Sequence, residues 1–317
     1  SSRIGRAPSD EVHVLAKILP WQPPRVGHRS SAVLLGLQFT SPRSLRLFQS
    51  RQARRIPPYN PAEDLPLPTI NRDGVNIYYE DHGTGPAILL SHGYSSTTRM
   101  WTGQVEALQD RYRIITWDMR GHGQSDSPDE PTAYSEAATV DDMAAILQHL
   151  GIENAVIGGL SLGGYMSLAF NLAHPSMARA LMLFDTGPGY KNPVGREGWN
   201  VTAMKRAHTF ETRGLDALGA SAEVRVSQHR SAQGLAHAAR GMLAQFDSRI
   251  IESLEGIAVP TLVLVGEDDL PFLGATDYMA KKIPGSKKVT IPAAGHAANL
   301  DQPAAFNAEV QKFLATL

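Results

Sequence analysis

From Leu65 onward, apolar and polar residues follow two spacings, one typical of short buried strands and the other of helices. Pro68 to Tyr79 predicts a hairpin that turns at residues 71–74, where Asn, Arg, Asp and Gly follow one another. Ala87 to Leu90 and Arg113 to Trp117 are short apolar runs followed by loop residues, which predicts two buried strands.

The segment from Thr139 to Gly151 has the periodicity of an amphipathic helix. Its apolar positions repeat at i, i+3, i+4 and i+7, from Met143 to Leu150. Thr139 is the predicted N-cap and Gly151 the predicted end of this helix.

Strand and helix patterns continue to alternate in the second half of the chain. The predicted elements are a strand at Ala155 to Ile157, a helix from Leu162 to Ala173 that Pro175 stops, and strands at Leu181 to Phe184, Thr261 to Val265 and Lys288 to Ile291. The alternation predicts an α/β fold with a mostly parallel, eight-stranded, doubly wound sheet. From residue 188 to about residue 257 it is suspended. Helix-compatible stretches there predict a helical cap inserted after the sixth strand.

The first 64 residues differ in composition from the rest and are predicted to be a poorly structured basic extension, which leaves residues 65–317 as the folded domain. Residues 1–62 contain nine Arg and one Lys against two acidic residues, and eight prolines interrupt any periodicity. One interpretation is a disordered or non-native tail on a cytoplasmic protein. The other is an organellar targeting peptide, since such peptides are rich in Arg and Ser and poor in acids.

Charge and cysteine content exclude several kinds of chemistry. The chain carries a net charge of −1, which argues against a nucleic-acid partner. It contains no cysteine, and this excludes disulfides, thiolate metal sites and a cysteine nucleophile. No apolar run approaches the ~18 to 20 residues that cross a bilayer, so we expect no membrane span.

The central motif is Gly159-Leu160-Ser161-Leu162-Gly163, because it lies between a predicted strand and a predicted helix. A sharp strand-to-helix turn exposes the serine hydroxyl and leaves space only for small neighbours. By itself, a G-x-S-x-G pattern also arises by chance. With that placement, Ser161 becomes a candidate nucleophile.

A serine hydroxyl needs a base to take its proton and a carboxylate to orient that base. Both residue types lie downstream, each after a predicted strand: Glu267, Asp268 and Asp269 follow one, and His296 follows another. His296 is the candidate base. The acid is one of the three adjacent carboxylates or Asp185, which ends an earlier strand.

Residues 118–125, with the sequence DMRGHGQS, are similar to the D-x-R-G-H-G-x-S loop of many esterase-like and epoxide-hydrolase-like members of the α/β-hydrolase family. Together with the serine motif and the chain order Ser, acid, His, this loop makes the chain from about residue 65 to 317 resemble that family. In the family the loop mostly supports the site. The resemblance therefore implies a supporting role for Arg120 and His122.

The resemblance also assigns the remaining site residues. In the family the acid is commonly the last residue of a G-x-x-D pattern, which maps to Asp269, whereas some members take it from the position of Asp185. The loop after residues 87–90 forms half of the family's oxyanion hole. The resemblance thus implies that the backbone N–H groups of Tyr94 and Leu162 bind the oxyanion. The neighbouring supporting residues are Gly159, Gly163, His92 and Gly93.

The function implied by the resemblance is cleavage of a small carboxylic ester through an acyl-enzyme. No H-E-x-x-H metal motif, P-loop or dinucleotide fingerprint occurs in the sequence, so we expect no cofactor and no metal. Lactonases, thioesterases, carbon–carbon bond hydrolases and perhydrolases use the same triad, and a hydrolase-like protein that only binds its ligand is a further alternative. The oligomeric state stays open. The other histidines are expected to be exposed or hydrogen-bonded bystanders: His82, His149, His174, His208, His229 and His237.

Overall fold

The computed structural model describes residues 68–317, so the predicted basic extension over residues 1–64 lies outside the described residues. The strands in this part of the chain are β1 (Thr69–Arg72), β2 (Val75–His82), β3 (Ala87–Ser91), β4 (Arg113–Trp117), β5 (Ala155–Leu160), β6 (Ala178–Phe184), β7 (Thr261–Gly266) and β8 (Lys287–Ile291). They form one eight-stranded sheet in the order β1-β2-β4-β3-β5-β6-β7-β8. The hairpin β1-β2 is antiparallel, β2 is antiparallel to β4, and the strands from β4 across to β8 are parallel. The predicted fold class is confirmed.

The α-helices of residues 68–317 are α1 (Thr102–Leu108), α2 (Glu136–His149), α3 (Leu162–Ala173), α4 (Pro193–Arg213), α5 (Ala222–Arg225), α6 (Ala232–Ala238), α7 (Arg249–Ser253), α8 (Leu270–Lys282), α9 (Ala298–Asp301) and α10 (Pro303–Leu314). A π-helical turn, Ala239–Leu243, continues α6. Short 3-10 turns lie at Thr98–Trp101, Pro131–Ala133, Pro175–Met177, Gly214–Ala217 and Leu254–Gly256.

The sheet has a hydrophobic core on each face, because successive side chains of a strand point to opposite sides. In β3, Leu89 packs into the core that contains α2 and α3, whereas Ile88 and Leu90 pack into the core that contains α1 and α10. Both faces of the central strands are therefore covered, which explains why their sequences are continuous apolar runs rather than alternating ones.

The start of α2 corrects the predicted cap. Ser135, not Thr139, is the N-cap, and its Oγ accepts a hydrogen bond from Ala138 N at 3.0 Å. Thr139 lies inside the helix, where its Oγ1 donates to the Ser135 carbonyl at 2.8 Å. The prediction was wrong because the first turn, Glu136 to Ala138, carries no large apolar residue that would extend the periodic pattern.

Two strands run three residues past their predicted ends, and β6 begins at Ala178, three residues before its predicted start at Leu181. β2 continues past Tyr79 to His82, because the second half of this strand pairs with β4. β5 continues past Ile157 to Leu160, so that the strand ends directly before Ser161. The helix predicted after it has the predicted bounds, Leu162–Ala173.

Between β6 and β7 the chain forms α4 to α7 and adds no strand to the sheet. Buried residues of this helical insertion, including Phe210 and Leu235, belong to the same core as α2 and α3. Within residues 68–317, no helix combines the length and the apolar character needed to cross a membrane.

Candidate active site

Ser161 occupies the turn between β5 and α3 with φ 56° and ψ −115°, a backbone conformation that L residues rarely adopt. Two hydrogen bonds hold the turn. Ser161 N donates to the Phe184 carbonyl at 2.9 Å, and Thr186 Oγ1 donates to the Ser161 carbonyl at 2.6 Å. The side chain is half-buried. The strained turn therefore presents the hydroxyl at the carboxyl edge of the sheet.

The glycines on either side of Ser161 are required by space. A Cβ on Gly163 would lie 2.1 Å from the Ser91 carbonyl oxygen, and a Cβ on Gly159 would lie 2.4 Å from the Gly163 carbonyl carbon. Both contacts are with backbone, which cannot move aside as a side chain would. The turn and β3 approach each other this closely only because neither position carries a side chain.

Asp269 and His296 are brought together at the ends of β7 and β8. Asp269 Oδ2 lies 2.8 Å from His296 Nδ1, and the Asp269 side chain is only 4% exposed. A carboxylate only accepts, so the Nδ1 proton lies in this bond and Nε2 keeps a free lone pair. Phe272 stacks on the imidazole, with ring centroids 4.9 Å apart. The ring is held in one orientation and one tautomer.

The charge of Asp269 also sets the basicity of His296. Burial by itself would lower the pKa of this imidazole. The hydrogen bond and the charge of Asp269, followed by the charge of Asp185, outweigh burial and raise the pKa above its ordinary value. A raised pKa makes His296 a stronger base for a nearby hydroxyl.

Asp185, the alternative acid, has a different partner. It is fully buried with φ 45°, and its Oδ1 accepts a hydrogen bond from Gly266 N at 2.7 Å. Burial raises the pKa of Asp185 well above its usual range, although the Gly266 N–H opposes this shift. Of the two candidate acids, Asp269 is the one that hydrogen-bonds His296.

The loop after β3 lies against the serine turn. A Cβ on Gly93 would lie 3.5 Å from Ser161 Cβ, so this glycine passes directly beside the candidate nucleophile. Among residues 68–317, neither Tyr94 N nor Leu162 N donates a hydrogen bond to another backbone group. Tyr94 directly follows Gly93 in the chain, and Leu162 directly follows Ser161.

His92 stabilises the loop after β3 through two hydrogen bonds of its ring. Met119 N donates to His92 Nε2 at 3.0 Å, so the ring proton lies on Nδ1, which donates to the Gly93 carbonyl at 2.7 Å. Burial lowers the pKa of His92 to about 3, and the ring is therefore neutral at physiological pH. The neutral His92 ring thus makes two hydrogen bonds, one to the loop after β3 and one to the loop after β4.

The 118–125 loop is supported by buried charge. Arg120 forms two hydrogen bonds with the buried carboxylate of Asp142, at 2.7 and 2.8 Å. Asp118 accepts from Thr98 N at 2.7 Å and from Gln124 N at 2.8 Å. These bonds engage the Arg120 guanidinium and the Asp118 carboxylate within the scaffold of the loop.

The helical insertion contacts the β3 loop through Leu235, which no sequence motif marks, and through His229, which was expected to be a bystander. Tyr94 Oη donates to the Leu235 carbonyl at 2.8 Å. His229 Nδ1 accepts a hydrogen bond from Gly123 N, and His229 Nε2 donates to the Ser95 carbonyl at 3.1 Å. The sequence around His229 has no motif, so only the fold reveals this contact.

Comparison with known proteins places this geometry in a family. A family model described as "alpha/beta hydrolase fold" matches residues 86–212. A Bacillus subtilis protein named putative 2-succinyl-6-hydroxy-2,4-cyclohexadiene-1-carboxylate synthase is 30% identical over 266 residues, covering 77% of this chain and 97% of its own length. The chain belongs to the α/β-hydrolase family.

Two further relatives of this α/β-hydrolase carry hydrolase names. The 3-oxoadipate enol-lactonase 1 of Acinetobacter baylyi is 31% identical, over 74% of this chain and 92% of its own. A thermophilic esterase from Thermogutta terrifontis is 30% identical with a TM-score of 0.66, covering 78% of this chain and 96% of its own. These names support a hydrolase function for this α/β-hydrolase.

Proposed function

We propose that this α/β-hydrolase cleaves a carboxylic ester through an acyl-enzyme, with Ser161 as nucleophile, His296 as base and Asp269 as acid. The observation that carries the proposal is the pairing of a buried Asp269 with His296 at 2.8 Å, at the same sheet edge as the strained Ser161 turn. The backbone supplies this arrangement before any substrate arrives, and such preorganisation is the usual source of catalytic power.

In the first half of the reaction, His296 Nε2 takes the proton of Ser161 as its Oγ attacks the carbonyl carbon. The carbonyl oxygen becomes an oxyanion, to which the N–H groups of Tyr94 and Leu162 donate. Each donor of this kind lowers the barrier by about 3 to 4 kcal/mol. His296 then returns the proton to the leaving alcohol, and the acyl group stays on Ser161.

In the second half, water gives a proton to His296 and attacks the acyl-enzyme. The second oxyanion binds at the same N–H groups, and its collapse releases the acid and restores Ser161. Asp269 stays ionised throughout and stabilises the imidazolium that forms twice in each cycle.

A lactone is the second candidate substrate, because it is a cyclic ester attacked by the same steps. The enol-lactonase named above, 31% identical to this chain, favours this variant of the proposal. We also infer that residues 188–257 act as a cap that selects the substrate, since this insertion contacts the Tyr94 loop through Leu235.

The test is hydrolysis of p-nitrophenyl butyrate and of a simple lactone by the wild type and by Ser161→Ala. The wild type should turn over at least one of them, and Ser161→Ala should lose turnover while keeping its circular dichroism and melting temperature. Labelling of the wild type, but not of Ser161→Ala, by a fluorophosphonate should accompany this loss. Retained turnover in Ser161→Ala would exclude Ser161 as nucleophile, and an unlabelled, inactive wild type would favour a ligand-binding protein.

A further inference from the structure

A cavity of about 200 Å³ lies between helix α4 and the loop that follows β3. Ser95 lines it from the loop, and Lys205, Arg206, Thr209 and Phe210 line it from α4. Its volume suits a functional group with a few carbon atoms and is smaller than the pockets that enclose whole drug-sized ligands.

The lining carries positive charge that no described carboxylate neutralises. None of the residues that line the cavity is acidic. Within residues 68–317, neither Lys205 nor Arg206 forms an ion pair, and Glu211 further along α4 is bound by Arg240 at 2.7 Å. Two adjacent cations at a concave surface attract an anion.

The hydroxyl groups that line the cavity already have acceptors, and Thr202 Oγ1 donates to the Gly198 carbonyl at 3.4 Å. Thr209 Oγ1 donates to the Lys205 carbonyl at 2.7 Å, so its proton is already used within α4. Ser95 Oγ donates to the Tyr94 carbonyl at 2.7 Å. The ammonium of Lys205 and the planar guanidinium of Arg206 remain, and a guanidinium matches the two oxygens of a carboxylate.

The cavity and the candidate active site share the loop that follows β3: Ser95 lines the cavity, and Gly93 lies beside Ser161. The guanidinium carbon of Arg206 is 5.9 Å from the centre of the Tyr94 ring, and Tyr94 immediately precedes Ser95. Gly93 directly precedes Tyr94, and a Cβ on Gly93 would lie 3.5 Å from Ser161 Cβ. Since consecutive Cα atoms are about 3.8 Å apart, Ser95 is within about 8 Å of Gly93.

We infer that Lys205 and Arg206 bind a carboxylate of the substrate. The substrate class is then an ester or lactone that carries a free carboxylate a few bonds from the carbonyl that Ser161 attacks. This inference rests on the proposed function, and it adds a charge requirement that the triad does not impose.

The test compares two p-nitrophenyl esters of equal chain length, the anionic hemiglutarate and the neutral pentanoate. The wild type should prefer the hemiglutarate in kcat/KM, mostly through KM, and the preference should shrink as salt screens the charges. Lys205→Met and Arg206→Met keep the apolar stems, and each should reduce the ratio of the two kcat/KM values by about 1.5- to 5-fold, the range of exposed ion pairs. Arg213→Met is the control, because Arg213 is an exposed cation of α4 that does not line the cavity.

A second arm uses the acetate ester of 4-hydroxybutyrate, which carries its carboxylate on the alcohol side. A preference for this ester, lost in Arg206→Met, supports the same cavity with the carboxylate in the leaving group. If neither anionic ester is preferred, or if Arg213→Met reduces the ratio as much as Arg206→Met, the inference is overturned.

Direct binding separates this inference from the catalytic one. Monomethyl glutarate should bind Ser161→Ala in calorimetry, and more weakly when Arg206→Met is added. Binding that depends on Arg206 in a protein that cleaves no ester would reject the proposed function and keep the carboxylate site. Ester cleavage without such binding would do the reverse.

Discussion

The bond between Asp269 and His296 gives the most direct test of the proposed mechanism, through Asp269→Asn. A hydrogen bond to a charged group contributes about 1.5 to 3 kcal/mol. The Asp269–His296 bond is of this kind, since the Asp269 carboxylate is 4% exposed and lies 2.8 Å from His296 Nδ1. Losing the charge of Asp269 should therefore lower the pKa of His296.

The expected pH profile follows from the sign of this shift. Neutral His296 is the active base, so kcat/KM rises with pH through the pKa of His296, which Asp269 raises. Asp269→Asn should therefore move the acid limb to lower pH. The plateau should fall by about 10³- to 10⁴-fold, because the asparagine amide donates to Nδ1 and the imidazole proton moves to Nε2, which then cannot accept the Ser161 proton.

The assay is kcat/KM for p-nitrophenyl butyrate from about pH 5 to 9, a range that brackets the ordinary histidine pKa. Asp268→Asn is the matched control, because Asp268 is the exposed carboxylate next in the chain and makes no bond to His296. A plateau loss below about tenfold in Asp269→Asn, or an equal loss in Asp268→Asn, would refute the assignment of the acid.

Two further substitutions test the supports of the site. Asp185→Asn should keep most activity, because an amide oxygen still accepts the hydrogen bond from Gly266 N. Asp185→Ala should lose about 1 to 3 kcal/mol of unfolding free energy in urea titration, and more of its kcat/KM than Asp185→Asn. Equal behaviour of the two variants would contradict a role for Asp185 as acceptor of the Gly266 N–H. Arg120→Met should cost about 3 kcal/mol of unfolding free energy, the lower end for a broken buried pair, because the Asp142 carboxylate loses its bidentate partner and keeps only Arg72, at 3.4 Å. Arg113→Met, which breaks an exposed pair, should cost about 1 kcal/mol or less in the same titration. An Arg120→Met cost that small would show that Arg72, 3.4 Å from Asp142 Oδ1, is a sufficient partner for the carboxylate.

Local sequence patterns predicted the sheet and the serine turn well, because the signals there are local. The run before Ser161 is apolar on both faces of a strand, and Gly159 and Gly163 leave the space that the turn needs. The choice of Asp269 over Asp185 came from a family pattern, and the structure pairs Asp269 with His296. The roles of these residues remain predictions that the experiments above test.

Features that depend on distant contacts were beyond local patterns. The sheet places β4 between β2 and β3, and no spacing within β4 indicates this. His229 and Arg206 lie more than a hundred residues from Ser95 and Tyr94, which they contact. The cap of α2 was missed for a different reason, since Ser135 precedes a first turn without large apolar residues.

The hydrogen bonds that join the β3 loop to the helical insertion have a consequence for engineering. Tyr94 Oη donates to the Leu235 carbonyl, and His229 Nε2 donates to the Ser95 carbonyl. The helical insertion, proposed to select the substrate, is thus hydrogen-bonded to the loop after β3, proposed to bind the oxyanion. A chimaera that exchanges the insertion must supply a carbonyl where Leu235 stands and a donor where His229 stands. Without them, a swap intended to change selectivity would also slow the chemistry for every substrate.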